Sequence, residues 1–380
     1  MKIQVLWPRP EPSAVTEIAF AHRFCRRLSR RELNAADWRE YHPRTQRLPK
    51  LESSDCVLFV TDPQLVVSRL AAEHMFKVLQ EGGGAAVPLY NSTANPPQRA
   101  DLPGVYTTVS TFFELAGQVA ERPTPSATLL RTPYDSGCIM LYPEKAASFL
   151  RLGDFAWPAE VTLAENALVH RFENYAGMER ADLWGRIPAT AQTILDVGCG
   201  RGGLGRWLHT LARQADLTGV ESSAALAEEA LPYYGHVHVG AVETFEADRR
   251  YDCIVCGDIL EHLIDPWKVV DRLAGWLNRD GCLLMSVPNA GHWSLVRDLA
   301  QGCWDYLPYG LTCVTHLRWF TESSLREMCE EAGLAIELLE RQVVPPTPAG
   351  EVFIRKLVEG GEGDESSLRT HGFTIGARRV

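Results

Sequence analysis

The sequence predicts an α/β protein of two domains, residues 1–155 and 156–380. Short apolar runs alternate with amphipathic stretches along most of the chain, the pattern of strands joined by helices. At 380 residues the chain is long for one hydrophobic core and suits two. A Gly-rich turn between two apolar runs at 194–220 marks a parallel strand, helix, strand unit.

In the first half, the apolar run 3–6 reads as a strand stopped by Pro8, Pro10 and Pro12. A helix over 15–28 follows, and its basic cluster at 22–31 has the spacing of a solvated helix face. Residues 56–61 form a second strand ending in Asp62-Pro63, and 68–81 a helix stopped by three glycines at 82–84. A strand at 85–89 and a helix at 111–121 complete the alternation. Residues 122–126 read as a loop and 153–158 as the domain boundary.

In the second half, 194–197 reads as a buried strand. It breaks into Gly198, Gly200, Gly202 and Gly203, where the backbone turns sharply and admits a ligand with no Cβ in the way. A helix pattern over 204–213 and a strand over 217–220 lead to the carboxylate of Glu221. Such a unit binds an adenosine-bearing cofactor, the acid accepting from the ribose hydroxyls. Asp196, two places before the first glycine, would repel a pyrophosphate and favour a cation.

The string Leu195-Asp-Val-Gly-Cys-Gly-Arg-Gly202 closely resembles the first motif of class I S-adenosylmethionine-dependent methyltransferases. Residues 251–263 resemble that family's fourth strand and following turn, and 279–289 its fifth strand. The segments at 292–293, 305–306, 309–311 and 315–321 resemble a subset near the ubiquinone-biosynthesis O-methyltransferases and the sugar methyltransferases of polysaccharide biosynthesis. The resemblance covers roughly 165–380 and implies a Rossmann-like seven-stranded sheet. Its last two strands, at 335–339 and 373–377, would pair antiparallel around an acidic, Gly-rich flexible loop at 359–365. The first half is faintly similar to GT-A glycosyltransferases, but where that family has Asp-x-Asp this chain has Asp62, Pro63 and Gln64. That departure implies a catalytically silent domain.

The resemblance implies S-adenosylmethionine as cofactor. Asp196, Gly198, Cys199 and Gly200 would line its methionine part, and Glu221 with Ser222 its ribose. Ala241 stands where the family often has an Asp for the adenine, so Val242 or Glu243 would substitute. Asp258 would sit near the methyl-donor side.

Methyl transfer to a hydroxyl gains from a general base, which must lie on loops after the strand ends. His262, His292 and His316 meet that condition and are the candidate bases, and an ordinary imidazole titrates near 6.5. Glu261 reads as a helix-start carboxylate beside His262. Trp293, Tyr306, Tyr309 and Trp319 offer flat surface to a sugar or an aromatic ring, or else cap the core. No metal ligands are assigned.

The acceptor implied is a small molecule or saccharide, with a quinone or phenol as the variant and a non-catalytic binding protein as the alternative. Net charge of -10 disfavours a nucleic-acid partner. No apolar run is long enough to span a bilayer, and the expected location is cytoplasmic. The ten cysteines would then be reduced thiols, with the Cys253 and Cys256 pair buried in a strand.

Overall fold

A computed structural model describes residues 1–9, 16–34, 36–42, 54–123, 128–146, 157–172 and 180–380. Pro10, Pro12, most of the 122–126 loop and most of the 153–158 boundary lie outside the described residues. The chain forms two compact units, Met1–Glu173 with Asp305–Tyr309, and Asn174–Trp304 with Gly310–Val380.

The first unit holds β1 (Ile3–Pro8), β2 (Asp37–Tyr41), β3 (Cys56–Val60), β4 (Leu65–Val67), β5 (Ala85–Tyr90), β6 (Thr128–Arg131), β7 (Cys138–Leu141) and β8 (Glu160–Arg171). Their order is β2-β1-β3-β7-β5-β8-β4, with β6 paired to β8. β1 runs parallel to β2 and β3, while β7 lies antiparallel between β3 and β5. The predicted helices appear as Thr16–Glu32, Arg69–Gln80 and Val109–Ala120. Ser68 caps the second by accepting from the Ala71 N–H at 3.0 Å, a device that stabilises a helix by about 1 kcal/mol.

The boundary expected at 155 differs from the packing. β8 pairs with β5, β4 and β6, so the first unit extends to Glu173. A twelve-residue strand was hidden because Glu165 and Asn166 interrupt its apolar pattern. Asn166 instead donates to the carbonyls of Val119, Ala120 and Arg122, tying β8 to a helix end. Asp62 is bound by Arg171, which also makes a two-pronged pair with Asp135 and lies over the Tyr90 ring.

The second unit is a seven-stranded sheet of β9 (Thr193–Val197), β10 (Asp216–Glu221), β11 (His236–Val239), β12 (Tyr251–Gly257), β13 (Leu277–Pro288), β14 (Leu334–Val343) and β15 (Thr370–Arg379). The order is β11-β10-β9-β12-β13-β15-β14. The first five are parallel, and β15 is antiparallel to both neighbours. This is the predicted Rossmann-like arrangement. Both faces of β9 and β12 are covered, Leu195 and Ile254 on one side and Ile194 and Val255 on the other. That double burial explains continuous rather than alternating apolar runs.

The acidic 359–365 stretch is not the flexible loop its composition suggests. It is a turn between the helices Pro348–Glu359 and Glu365–Arg369, with Gly361 in the left-handed region. Asp364 caps the second helix by accepting from the Ser367 N–H at 2.6 Å. Cys253 and Cys256 are buried in β12, and among the described residues every cysteine is a free thiol. No described helix is long and apolar enough to cross a membrane.

Candidate active site

The carboxyl ends of β9, β10, β12 and β13 gather the site residues of the second unit, the edge where open α/β sheets bind ligands. After β9 the chain passes through Gly198, Gly200 and Gly202, with φ of 75°, 53° and 79°. A Cβ at Gly198 would lie 2.1 Å from Ile259 Cδ1, so that glycine is demanded by conformation and by space alike. The helix Gly203–Thr210 follows.

Glu221 ends β10 with its carboxylate preset by the chain. Gly200 N–H donates to Oε2 at 2.9 Å, Ser223 N–H to Oε1 at 2.8 Å, and the Ser222 hydroxyl to Oε1 at 3.3 Å. Asp196 lies deeper. It is buried, and its Oδ2 accepts from the Tyr234 hydroxyl. Burial pushes its carboxyl up to about 7; the Tyr234 bond opposes this and the nearby Glu221 charge adds to it. Cys199 is buried beside Tyr234, both crowding the space above Gly219.

Val242 is buried in the turn Val242–Thr244, whose fold is held by Arg272 donating to the Val242, Glu243 and Phe245 carbonyls. Asp258 is half exposed and takes a left-handed φ of 53°, unusual for a residue with a Cβ. It accepts from the Ser286 hydroxyl at 2.9 Å through Oδ1 and from Arg180 through Oδ2.

The turn Leu260–His262 after β12 brings Glu261, His262 and His316 together, with their ligand-type atoms within 4.8 Å of one another. His262 Nδ1 faces the Thr315 carbonyl at 3.3 Å, and the two imidazoles pack edge to face at 4.8 Å. His316 is buried, Nδ1 facing the Leu311 carbonyl at 3.1 Å, and burial together with His262 pulls it down to about 3. Glu261 is buried with Oε2 lacking a partner, and burial holds its carboxyl well above the usual range. Its backbone carbonyl accepts from the N–H groups of Leu317 and Arg318, which docks the 315–318 segment onto this turn.

His292 does not join this group. It is fully buried at the start of the helix Trp293–Ala300, its Nδ1 2.9 Å from the Ser294 hydroxyl, and burial beside His371 pulls it down to about 3. Trp293 is fully buried against Ile354 and Leu368, and Tyr309 is also buried. Tyr306 and Trp319 are the exposed members of the predicted aromatic set.

Arg180, Tyr234 and Ser286 were not singled out by the sequence. Arg180 and Tyr234 sit outside any motif, and only the fold brings them to Asp258 and Asp196. Ser286 was legible as part of β13, but not as the partner of Asp258.

Residues 168–339 match the family model of a methyltransferase domain. Over 120 residues the chain is 32% identical to a malonyl-[acyl-carrier protein] O-methyltransferase of Anoxybacillus flavithermus, covering 30% of this chain and 46% of the relative. Over 156 residues it is 30% identical to a ubiquinone biosynthesis O-methyltransferase of Nitrosomonas europaea, covering 38% of this chain and 63% of that one. The chain thus spans less than two thirds of either relative's length. A solved S-adenosylmethionine-dependent methyltransferase from Mesorhizobium loti aligns at 18% identity and a TM-score of 0.37, over 52% of this chain and 96% of its own. The match to a methyltransferase domain thus falls mostly on the second unit, whose seven-stranded sheet carries the Gly-rich turn.

Proposed function

We propose that the protein methylates a hydroxyl of a small molecule, a sugar being the acceptor class, using S-adenosylmethionine. The observation that carries this reading is an acid at the end of β10, preset by a Gly-rich turn, at the same sheet edge as a histidine pair. S-adenosylmethionine, when bound, supplies an electrophilic methyl carbon on a positively charged sulfur.

Glu221 receives the ribose hydroxyls, because its carboxylate is already oriented by the Gly200 and Ser223 N–H groups and need not reorganise. Asp196, Gly198 and Gly200 line the methionine side, and Val242 and Glu243 flank the adenine. Arg180 reaches Asp258 at the end of β12, forming a charged pair on the methyl-donor side.

His262 is the proton acceptor. The Thr315 carbonyl can only accept, so the Nδ1 facing it carries the hydrogen and Nε2 keeps its lone pair. His316 packs against that ring and stays neutral, adding no competing charge. His292 is withdrawn from the role by complete burial.

The relatives' O-methylation supports an oxygen acceptor, a carboxylate in the malonyl case, and the Nitrosomonas europaea relative favours a quinone-type phenol as the second reading. An acceptor screen with labelled S-adenosylmethionine over sugars, nucleotide sugars and phenols tests both. Label transferred only to phenols replaces the sugar reading, and label on no hydroxyl overturns O-methylation.

A further inference from the structure

Asp196 belongs to a buried polar pair that the methyl-transfer chemistry does not itself require. Its register neighbours are Gly219 on β10 and Val255 on β12, so it stands on an interior strand of the sheet, and its side chain is buried. The groups facing it are the Tyr234 hydroxyl, the Cys199 thiol from the Gly-rich turn, the Cys256 thiol from β12 and the Glu221 carboxylate from β10. Among the described residues none forms an ion pair with it, and the nearest charge is of its own sign.

Tyr234 reaches Asp196 only because two glycines make room. A Cβ at Gly219 would lie 3.1 Å from the Tyr234 ring, and one at Gly205 would lie 2.8 Å from it. Burial keeps the Tyr234 phenol neutral. The ring is therefore wedged between β10 and the helix that begins at the Gly-rich turn, with its O–H pointed at one carboxylate oxygen.

We propose that Tyr234 is a positioning residue for cofactor binding: its ring, wedged against Gly205 and Gly219, holds the Asp196 carboxyl beneath the Gly-rich turn to meet the cationic cofactor. This rests on the reading that the domain binds S-adenosylmethionine. A buried carboxyl with one neutral donor and a like-charged neighbour keeps its proton to near neutrality. A sulfonium and ammonium arriving alongside supply the missing positive charge, so the ionised form is favoured and one proton leaves to solvent.

Titration calorimetry on the full chain with S-adenosylmethionine, from pH 5.5 to 8 in two buffers of different ionisation enthalpy, reads this directly. Affinity should rise by up to about tenfold per pH unit on the acid side and level off near neutrality, with proton release confined to that limb. The cofactor's own amino group, an α-amino of ordinary value about 8, titrates above it. Tyr234→Phe removes the donor that stabilises the carboxylate, so the limb should move to higher pH. Asp196→Asn should abolish it.

Infrared difference spectra of the unliganded protein give a second, cofactor-free measurement. A protonated-carboxyl band that Asp196→Asn removes should disappear with rising pH, at a higher midpoint in Tyr234→Phe. Failure to bind cofactor at any pH would sink the cofactor reading while these spectra still decide the pair. Wild-type affinity flat from pH 5.5 to 7.5, or a Tyr234→Phe loss that is equal at all pH, overturns the proposal. So does a band midpoint that Tyr234→Phe leaves in place.

Discussion

Gly200, in the turn after β9, donates its backbone N–H to Glu221 Oε2 at 2.9 Å, closing the Gly-rich turn onto the acid that ends β10. With φ of 53° at Gly200, the amide is aimed by a conformation that a residue with a Cβ rarely adopts. Glu221→Ala should therefore weaken S-adenosylmethionine binding by about 1–3 kcal/mol, through lost ribose hydrogen bonds to a charged acceptor and a loosened turn. An unchanged dissociation constant by calorimetry would remove Glu221 from the ribose site.

Gly198→Ala places a methyl group 2.1 Å from Ile259 Cδ1 on a backbone at φ of 75°. Strain and overpacking should each cost about 1–3 kcal/mol in denaturant unfolding. Adding Ile259→Ala should recover the steric part alone, since the backbone conformation is unchanged. Complete recovery would show that the left-handed conformation costs nothing here.

His262→Ala should lower turnover about 10²–10⁴-fold while leaving cofactor affinity nearly unchanged. The wild-type rate should fall on acidification as the imidazole takes up a proton, and the variant should lack that limb. His292→Ala should instead reduce thermal stability, because its ring fills a fully buried site. A His262 variant with most of its turnover intact would move the proton to another acceptor.

Asp196 also links stability to pH. Its folded-state value of about 7 is raised above the ordinary aspartate value of about 3.9. Its contribution is thus present in full below about pH 4 and is lost as pH rises to about 7, with a slope of at most about 1.4 kcal/mol per unit. Urea unfolding of Asp196→Asn should lack this decline. Parallel pH profiles for wild type and variant would contradict it.

The position of β8 makes a truncation test. A fragment of residues 157–380 carries β8 without β4, β5 and β6, and an unpaired apolar strand invites association. A fragment of 174–380 omits it and should be the more soluble of the two, by light scattering, while still binding S-adenosylmethionine. The reverse order of solubility would place β8 with the second unit.

Much of the second unit was legible from residues alone, because its signals are local. The Gly-rich turn requires backbone freedom that few residues supply, and β9 and β12 are covered on both faces, so apolar residues stand at consecutive positions in them. Glu221 stood out because a carboxylate ending an apolar strand has few structural reasons to be there. The first unit was less legible: β2 and β6 are short and largely solvated, and β8 is interrupted by Glu165 and by Asn166, whose partners lie more than forty positions away.

What only the tertiary structure decided is which groups meet and how deeply they lie. Three histidines follow strand ends in sequence, yet His292 turns into a core and His316 packs against His262. Tyr234 meets Asp196 across 38 positions because Gly205 and Gly219 leave space for its ring. Burial, and with it the protonation of Asp196 and Glu261, is a property of everything packed around a side chain, and no local pattern encodes it. Backbone conformation is chosen residue by residue and can be read along the chain, whereas the electrostatics of the site are set by neighbours that only folding assembles.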